Sequence, residues 1–136
     1  MIKTIFKCPK LWSDVIWLAG WWEGEGCFTV YEEVHCVMSA NSTDLDIIQR
    51  VADIIGGKVY PIKPATERHK PKYGVRISGH NCRIWMVILC PLMGQRRQER
   101  IKELLSNINS RVLLDAMTEA NNAIITCRSN EVEKQA

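Results

Sequence analysis

The fold turns on Leu18-Ala19-Gly20-Trp21-Trp22-Glu23-Gly24-Glu25-Gly26. Gly20 and Gly24 are four residues apart, so on a helix they share one face. A second helix can approach that face closely, because no Cβ intervenes. Each glycine costs a helix about 1 kcal/mol relative to alanine. Glu25 falls where the helix dipole is negative, which disfavours a carboxylate by ~0.3–1 kcal/mol. A sequence optimised for folding alone avoids both costs. A close helix–helix contact offsets the first, and a metal ion offsets the second. The plainer alternative is an amphipathic helix with a glycine cap and two solvent-facing acids.

Upstream, Ser13 is expected to cap this helix, with Asp14 in its first turn. Val15, Ile16, Leu18, Ala19 and Trp22 give it an apolar stripe, and Gly24 and Gly26 end it. Downstream, residues 27–32 alternate as a strand, with Phe28 and Val30 on one face. Glu32-Glu33 turns the chain, and residues 34–40 form a second strand with Val34, Cys36 and Met38 on one face. Asn41-Ser42-Thr43-Asp44 is a capping cluster. It opens a helix with Leu45, Ile48, Val51, Ala52 and Ile55 at helical spacing, stopped by Gly56-Gly57. Strands are expected at 58–63 and 73–78, around a polar, basic loop at 64–71. Helices follow from Gly79 to about Pro91, from Gln95 to Leu105 and from Val112 to Cys127. Residues 1–128 read as a single domain and 129–136 as a frayed, flexible C-terminal tail.

The order is α-β-β-α-β-β-α followed by more helix, an α+β fold. Four antiparallel strands with one apolar face pack on the helices and leave the other face open. Thr29, Tyr31, His35, Ser39, Lys63, Lys72, Arg76 and Ser78 are expected on that open face. A twisted antiparallel ribbon of this kind fits the DNA major groove.

The chain has 136 residues, 46% hydrophobic and 24% charged, which suits one domain and argues against disorder. The longest uncharged apolar run, Ile84 to Met93, is too short to span a membrane. The N-terminus lacks the pattern of a secretory leader, so an intracellular location is expected. The six cysteines form no C-x-x-C and pair with no histidines at zinc spacing, so reduced thiols are expected. Net charge is only +3, but its distribution is uneven. Lys58, Lys63, Arg68, Lys70, Lys72 and Arg76 surround a single acid, Glu67, and Arg96, Arg97, Arg100 and Lys102 form a second cluster. The ordinary reading of such a run is a solvated face.

Leu18 to Gly26 resembles the LAGLIDADG motif of homing endonucleases. Leu18, Ala19, Gly20 and Gly26 match its letters, and Glu23 and Glu25 occupy its two acidic positions. The resemblance extends through Asp44-Leu-Asp-Ile-Ile48, Ile55-Gly-Gly57, Tyr73 to Gly79 and Pro91-Leu-Met-Gly-Gln-Arg-Arg97, covering roughly Ser13 to Leu105. It implies the family's αββαββα half-domain, with a four-stranded antiparallel DNA-binding sheet and extra C-terminal helices. A single motif implies the homodimeric class.

The resemblance further implies a site-specific, divalent-metal-dependent endonuclease that cuts double-stranded DNA at a long pseudo-palindromic site. Such an enzyme is a phosphodiester hydrolase associated with mobile introns or similar elements. Two copies of the motif helix pack at a two-fold axis through Leu18, Gly20, Trp21 and Gly24, bringing the two Glu25 carboxylates together. Like charges held close require a cation between them, and Mg²⁺ (or Mn²⁺) suits carboxylate, phosphate and water oxygens. Glu25 and the Gly26 carbonyl are thus the implied metal ligands. Arg96 is the implied cation near the scissile phosphate, Asn41 or Ser39 an orienting group, and Glu23 a structural acid at the helix junction. Arg68 and Lys70 join the open-face residues as implied DNA contacts. The Trp21-Trp22 pair departs from the family's smaller aliphatics. A six-residue strand spans about 20 Å at ~3.3 Å per residue. DNA rises ~3.4 Å per base pair, so each ribbon tracks about half a helical turn or more.

The alternative is a non-cleaving protein of the same fold, acting as an RNA maturase on intron RNA or as a DNA-binding regulator. Retention of Glu25 and Arg96 favours the enzyme. Other enzyme classes fit poorly. There is no phosphate-binding glycine loop and no H-x-x-x-H, and His35, His69 and His80 are scattered.

Overall fold

The computed structural model describes residues 5–32, 35–64, 66 and 68–135. It begins with helix α1 (Trp12–Glu25), strands β1 (Gly26–Tyr31) and β2 (His35–Ser42), and helix α2 (Leu45–Ile55). Strands β3 (Lys58–Ile62) and β4 (Lys72–Ser78) and helix α3 (Gly79–Leu89) complete the expected αββαββα order. A short 3-10 turn (Cys90–Leu92) leads to α4 (Gln95–Ser106) and α5 (Ser110–Gln135). The strands form one antiparallel sheet in the order β1-β2-β4-β3.

Residues at helical spacing explain α1. Val15, Leu18, Ala19 and Trp22 are buried, and Trp22 reaches across to Phe28 of β1 with ring centroids 6.2 Å apart. The inner sheet face adds Met38, Val75 and Ile77, and α2 adds Ile48, Val51 and Ile55. Gly56 ends α2 at φ 77°, a left-handed conformation that glycine adopts without strain. Helix α3 is buried on nearly every side, including Trp85 and Met86, because it lies between the sheet and α5.

Several local expectations need correction. Ser13 does not cap α1. The helix starts earlier, with the Leu11 carbonyl accepting from Asp14 and Val15 N–H at 3.1 and 3.4 Å. Strand β3 ends at Ile62, so Lys63 lies beyond the sheet. β2 runs on to Ser42, so Asn41 and Ser42 belong to the strand rather than to the α2 cap. Asp44 stands at that cap, with its N–H donating to Ser42 Oγ at 3.0 Å. Glu33, Val34 and Glu67 lie outside the described residues.

The largest correction concerns the C-terminus. Residues 129–135, expected to fray, continue α5, which is 26 residues long. Long-range contacts hold its end. Asn130 Nδ2 donates to the Lys10 carbonyl at 2.9 Å, and Ser13 Oγ donates to Glu131 Oε2 at 2.9 Å. The Arg128 guanidinium lies 4.5 Å from the Trp12 ring centroid. Glu131 therefore supplies the carboxylate that the start of α1 lacks from its own cap. Small residues Ala116, Ala120 and Ala123 line the buried face of α5 and let it approach closely.

All six cysteines are free thiols. Burial pushes Cys36 up, partly offset by Arg83, and burial with the neighbouring Cys36 pushes Cys82 up strongly. Both thiols therefore stay protonated in the core. Among the described residues no helix is long and apolar enough to cross a membrane.

Candidate nucleic-acid interface and metal site

The registers define the uncovered sheet face row by row. Cross-strand partners project to the same side, and side chains alternate along each strand. Cys27 pairs with Ser39, Ser39 with Arg76, and Arg76 with Lys58, making one row of that face. Asn41 pairs with Gly74 and Gly74 with Tyr60, making the next. Thr29, Val37 and Ser78 form a row on the other side, and Tyr31 pairs with His35 beyond it. Ile62 and Lys72 pair at the opposite end.

The structure thus places Thr29, Tyr31, His35, Ser39, Lys72, Arg76 and Ser78 together on one face, as expected. Lys63 does not share it. Arg68 and Lys70 are exposed in the loop after β3. Lys58 and Tyr60 also belong to this face, which sequence alone does not reveal: they alternate with Val59, but the side that faces outward is set by pairing with β4.

The end of α1 adjoins this face. Gly26 pairs with Ala40, so Glu25 and Asn41 each lie next to that pair, at the same end of the β1–β2 ladder. Glu25 is exposed and makes no ion pair among the described residues. Asn41 is exposed too. A Cβ on Gly26 would collide with the Trp22 indole, so the first residue after the acid has room for glycine alone.

Arg96 is exposed in the first turn of α4. Its distance from the end of α1 is limited by Glu23. Glu23 Oε1 accepts the Gly94 N–H at 3.3 Å, and Oε2 lies 3.7 Å from Arg97 Nε. That separation is too long for a hydrogen bond, and both atoms are buried without another partner. The attraction is therefore coulombic, beside a carboxylate placed favourably at the α4 N-terminus. Glu23 thus ties α1 to the start of α4, the helix that carries Arg96. Arg100 Nε donates to the Phe28 carbonyl at 3.3 Å, covering the outer edge of β1. The basic cluster of α4 thus divides: Arg97 and Arg100 brace the fold, and Arg96 stays exposed.

The outward face of α1 carries Gly20 and Gly24, and a Cβ on either would meet nothing within 4 Å. Ile16 is 46% exposed beside them. Trp21 stacks on Trp17 with ring planes 11° apart, and Arg50 covers Trp17 at 3.8 Å. Leu18 is the exception among the expected interface residues. It is fully buried in the chain's own core, because it shares the stripe of Val15 and Trp22.

No protein-family profile matches the chain, and no curated protein does. Among solved structures it is similar to two of I-CvuI. One is a complex with the I-CreI target in the presence of magnesium, with the DNA not cleaved. The other is a complex with that protein's own target in the presence of calcium. In each case identity is 18% and the TM-score 0.45, covering 84% of this chain and 82% of that chain. The likeness is to a homing endonuclease.

Proposed function

We propose that the chain is a site-specific, divalent-metal-dependent DNA endonuclease of the LAGLIDADG type, working as a homodimer on a long pseudo-palindromic site. The observation that carries this reading is the setting of Glu25. An exposed carboxylate, unpaired among the described residues, ends a helix whose outward face is open at two glycines, beside an uncovered sheet bearing Lys58, Lys72 and Arg76.

A second α1 packed on the Gly20–Gly24 face brings the two Glu25 side chains together, and their repulsion favours a cation between them. Among the described residues no group of three or more His, Cys, Asp or Glu could hold a metal within one chain. That fits Mg²⁺, which binds through one or two carboxylates and takes its remaining oxygens from phosphate and water. Glu25 of each copy, with the Gly26 carbonyl, would hold it. Held there, such an ion would supply Lewis acidity to a phosphate and would lower the pKa of a bound water.

The chain's own residues do the rest. Arg96 places a positive charge where negative charge develops on the phosphoryl oxygens. Asn41, one residue past the partner of Gly26, orients water at the edge of the site. Lys58, Lys72, Arg68 and Lys70 contact phosphates and set the register on DNA, and Arg76 suits the guanine edge.

The test is cleavage of a randomised double-stranded DNA library in Mg²⁺, with the fragment ends sequenced. Cuts at one pseudo-palindromic site, leaving short 3′ overhangs, support the reading. Retention of one nucleic-acid sequence with no cleavage refutes it in favour of a non-cleaving binder.

A further inference from the structure

A glycine in the interior of β4 needs a reason. Gly74 pairs with Asn41 on one side and Tyr60 on the other, so it sits in the middle of the sheet. Its φ is not in the left-handed region. Close approach is the remaining reason for a glycine there. A Cβ at position 74 would lie 2.6 Å from Tyr60 Cζ and 2.8 Å from the Tyr60 hydroxyl oxygen. The Tyr60 ring therefore does not stand up from β3. It lies across the backbone of β4, with its hydroxyl end above Gly74 and directed towards β2. Gly74 is buried beneath it, and Tyr60 stays 40% exposed.

This row ends beside the candidate metal site. Its members in order are Tyr60, Gly74 and Asn41, and Asn41 follows the Gly26–Ala40 pair with which the β1–β2 ladder begins, directly after Glu25. The row is uncharged, whereas Arg76 and Lys58 lie on one side and Lys72 on the other. Uncharged groups contribute little to phosphate attraction, which is coulombic. A flat aromatic plate is suited to base edges instead, because its apolar surface packs on the thymine methyl.

We propose that Tyr60, laid over Gly74, is a specificity-determining residue. Its ring packs on the thymine methyl and so selects an A·T pair in the central part of each half-site. The inference rests on the endonuclease reading above and assigns the substrate preference of that same surface.

Binding selection from a randomised double-stranded DNA library without divalent metal, followed by sequencing, tests it. The wild type is expected to enrich a site with A·T pairs at symmetry-related positions in the central part of each half-site. Tyr60→Ala removes the ring. Gly74→Ala leaves the ring in place chemically but drives it off β4. Both variants are expected to reduce the preference at those same positions about tenfold, the usual scale for one lost base contact. The slope of affinity against salt should stay unchanged, because no charge is removed. Far-UV circular dichroism checks that each variant is folded, and Tyr60→Ala alone suffices if Gly74→Ala is not. Enrichment of an unaltered site by Tyr60→Ala, or equal loss of affinity for every sequence, overturns the assignment and leaves the endonuclease reading standing. Enrichment of no sequence by the wild type overturns both.

Discussion

Deleting residues 130–136 should destabilise the protein measurably, although this segment reads as a polar tail. The deletion removes the Glu131 carboxylate from the start of α1, where Ser13 Oγ and Ser13 N–H donate to it at 2.9 and 3.4 Å. Leu11, at the cap position, supplies no side-chain acceptor in its place. Loss of a capping side chain costs about 1 kcal/mol. The bond from Asn130 to the Lys10 carbonyl adds roughly 0.5 kcal/mol, at the low end for an exposed site. The total is about 1.5 kcal/mol. For a domain of this size that corresponds to a fall in Tm of roughly 5 °C. Urea and thermal unfolding followed by far-UV circular dichroism give both numbers. Glu131→Ala should account for about two thirds of the loss, and Ser13→Ala combined with it should add little, since each removes the same contact. A deletion costing less than about 0.5 kcal/mol, the ordinary effect of an inert surface change, would refute the clamp.

Other expectations follow from the same contacts. Gly24→Leu should shift the protein from dimer to monomer in sedimentation without loss of helix, because a Cβ at that position meets none of the described residues within 4 Å. A dimer that persists would place the self-contact elsewhere. Leu18→Ala should cost about 2–5 kcal/mol in unfolding free energy, as a buried leucine and not an interface residue. A cost below 1 kcal/mol would contradict its place in the core. In the native protein a thiol reagent should label exposed Cys27 quickly and reach Cys36 and Cys82 only on unfolding, since burial pushes both thiols up. Rapid labelling of either buried thiol would show that the β2–α3 packing opens readily.

The order of elements was legible because it rests on local signals. Hydrophobic spacing in α1 and α2, alternation in β1 and the glycines at 56–57 are all short-range patterns, and each agrees with the packing around it. The misreadings arose where a distant contact decides. Ser129 to Gln135 is polar, and nothing near it in sequence shows that Asn130 and Glu131 grip Lys10 and Ser13. Ser13 looks like a cap only until Glu131 is known to serve that end. Lys63 reads as an open-face residue, and Lys58 and Tyr60 do not, because the facing of β3 follows from its register with β4. For the candidate site, Glu25 and Asn41 flank the terminal Gly26–Ala40 pair of the β1–β2 ladder, and Arg96 is exposed at the start of α4. The tie that holds α4 there runs through Glu23, Gly94 and Arg97, whose joint role has no local signature. Leu18 belonged to the motif by its letter but to the core by its spacing.

The most direct test of the account is to compare wild type and Glu25→Gln on the DNA site selected from the library, measuring binding and Mg²⁺-dependent cleavage together. Glutamine keeps the size of the side chain and removes the charge that would hold the ion. The account predicts that binding survives and double-strand cleavage falls by at least about a hundredfold, the scale expected when a catalytic charge is lost. Cleavage by Glu25→Gln at the wild-type rate would show that the end of α1 is not where the chemistry occurs.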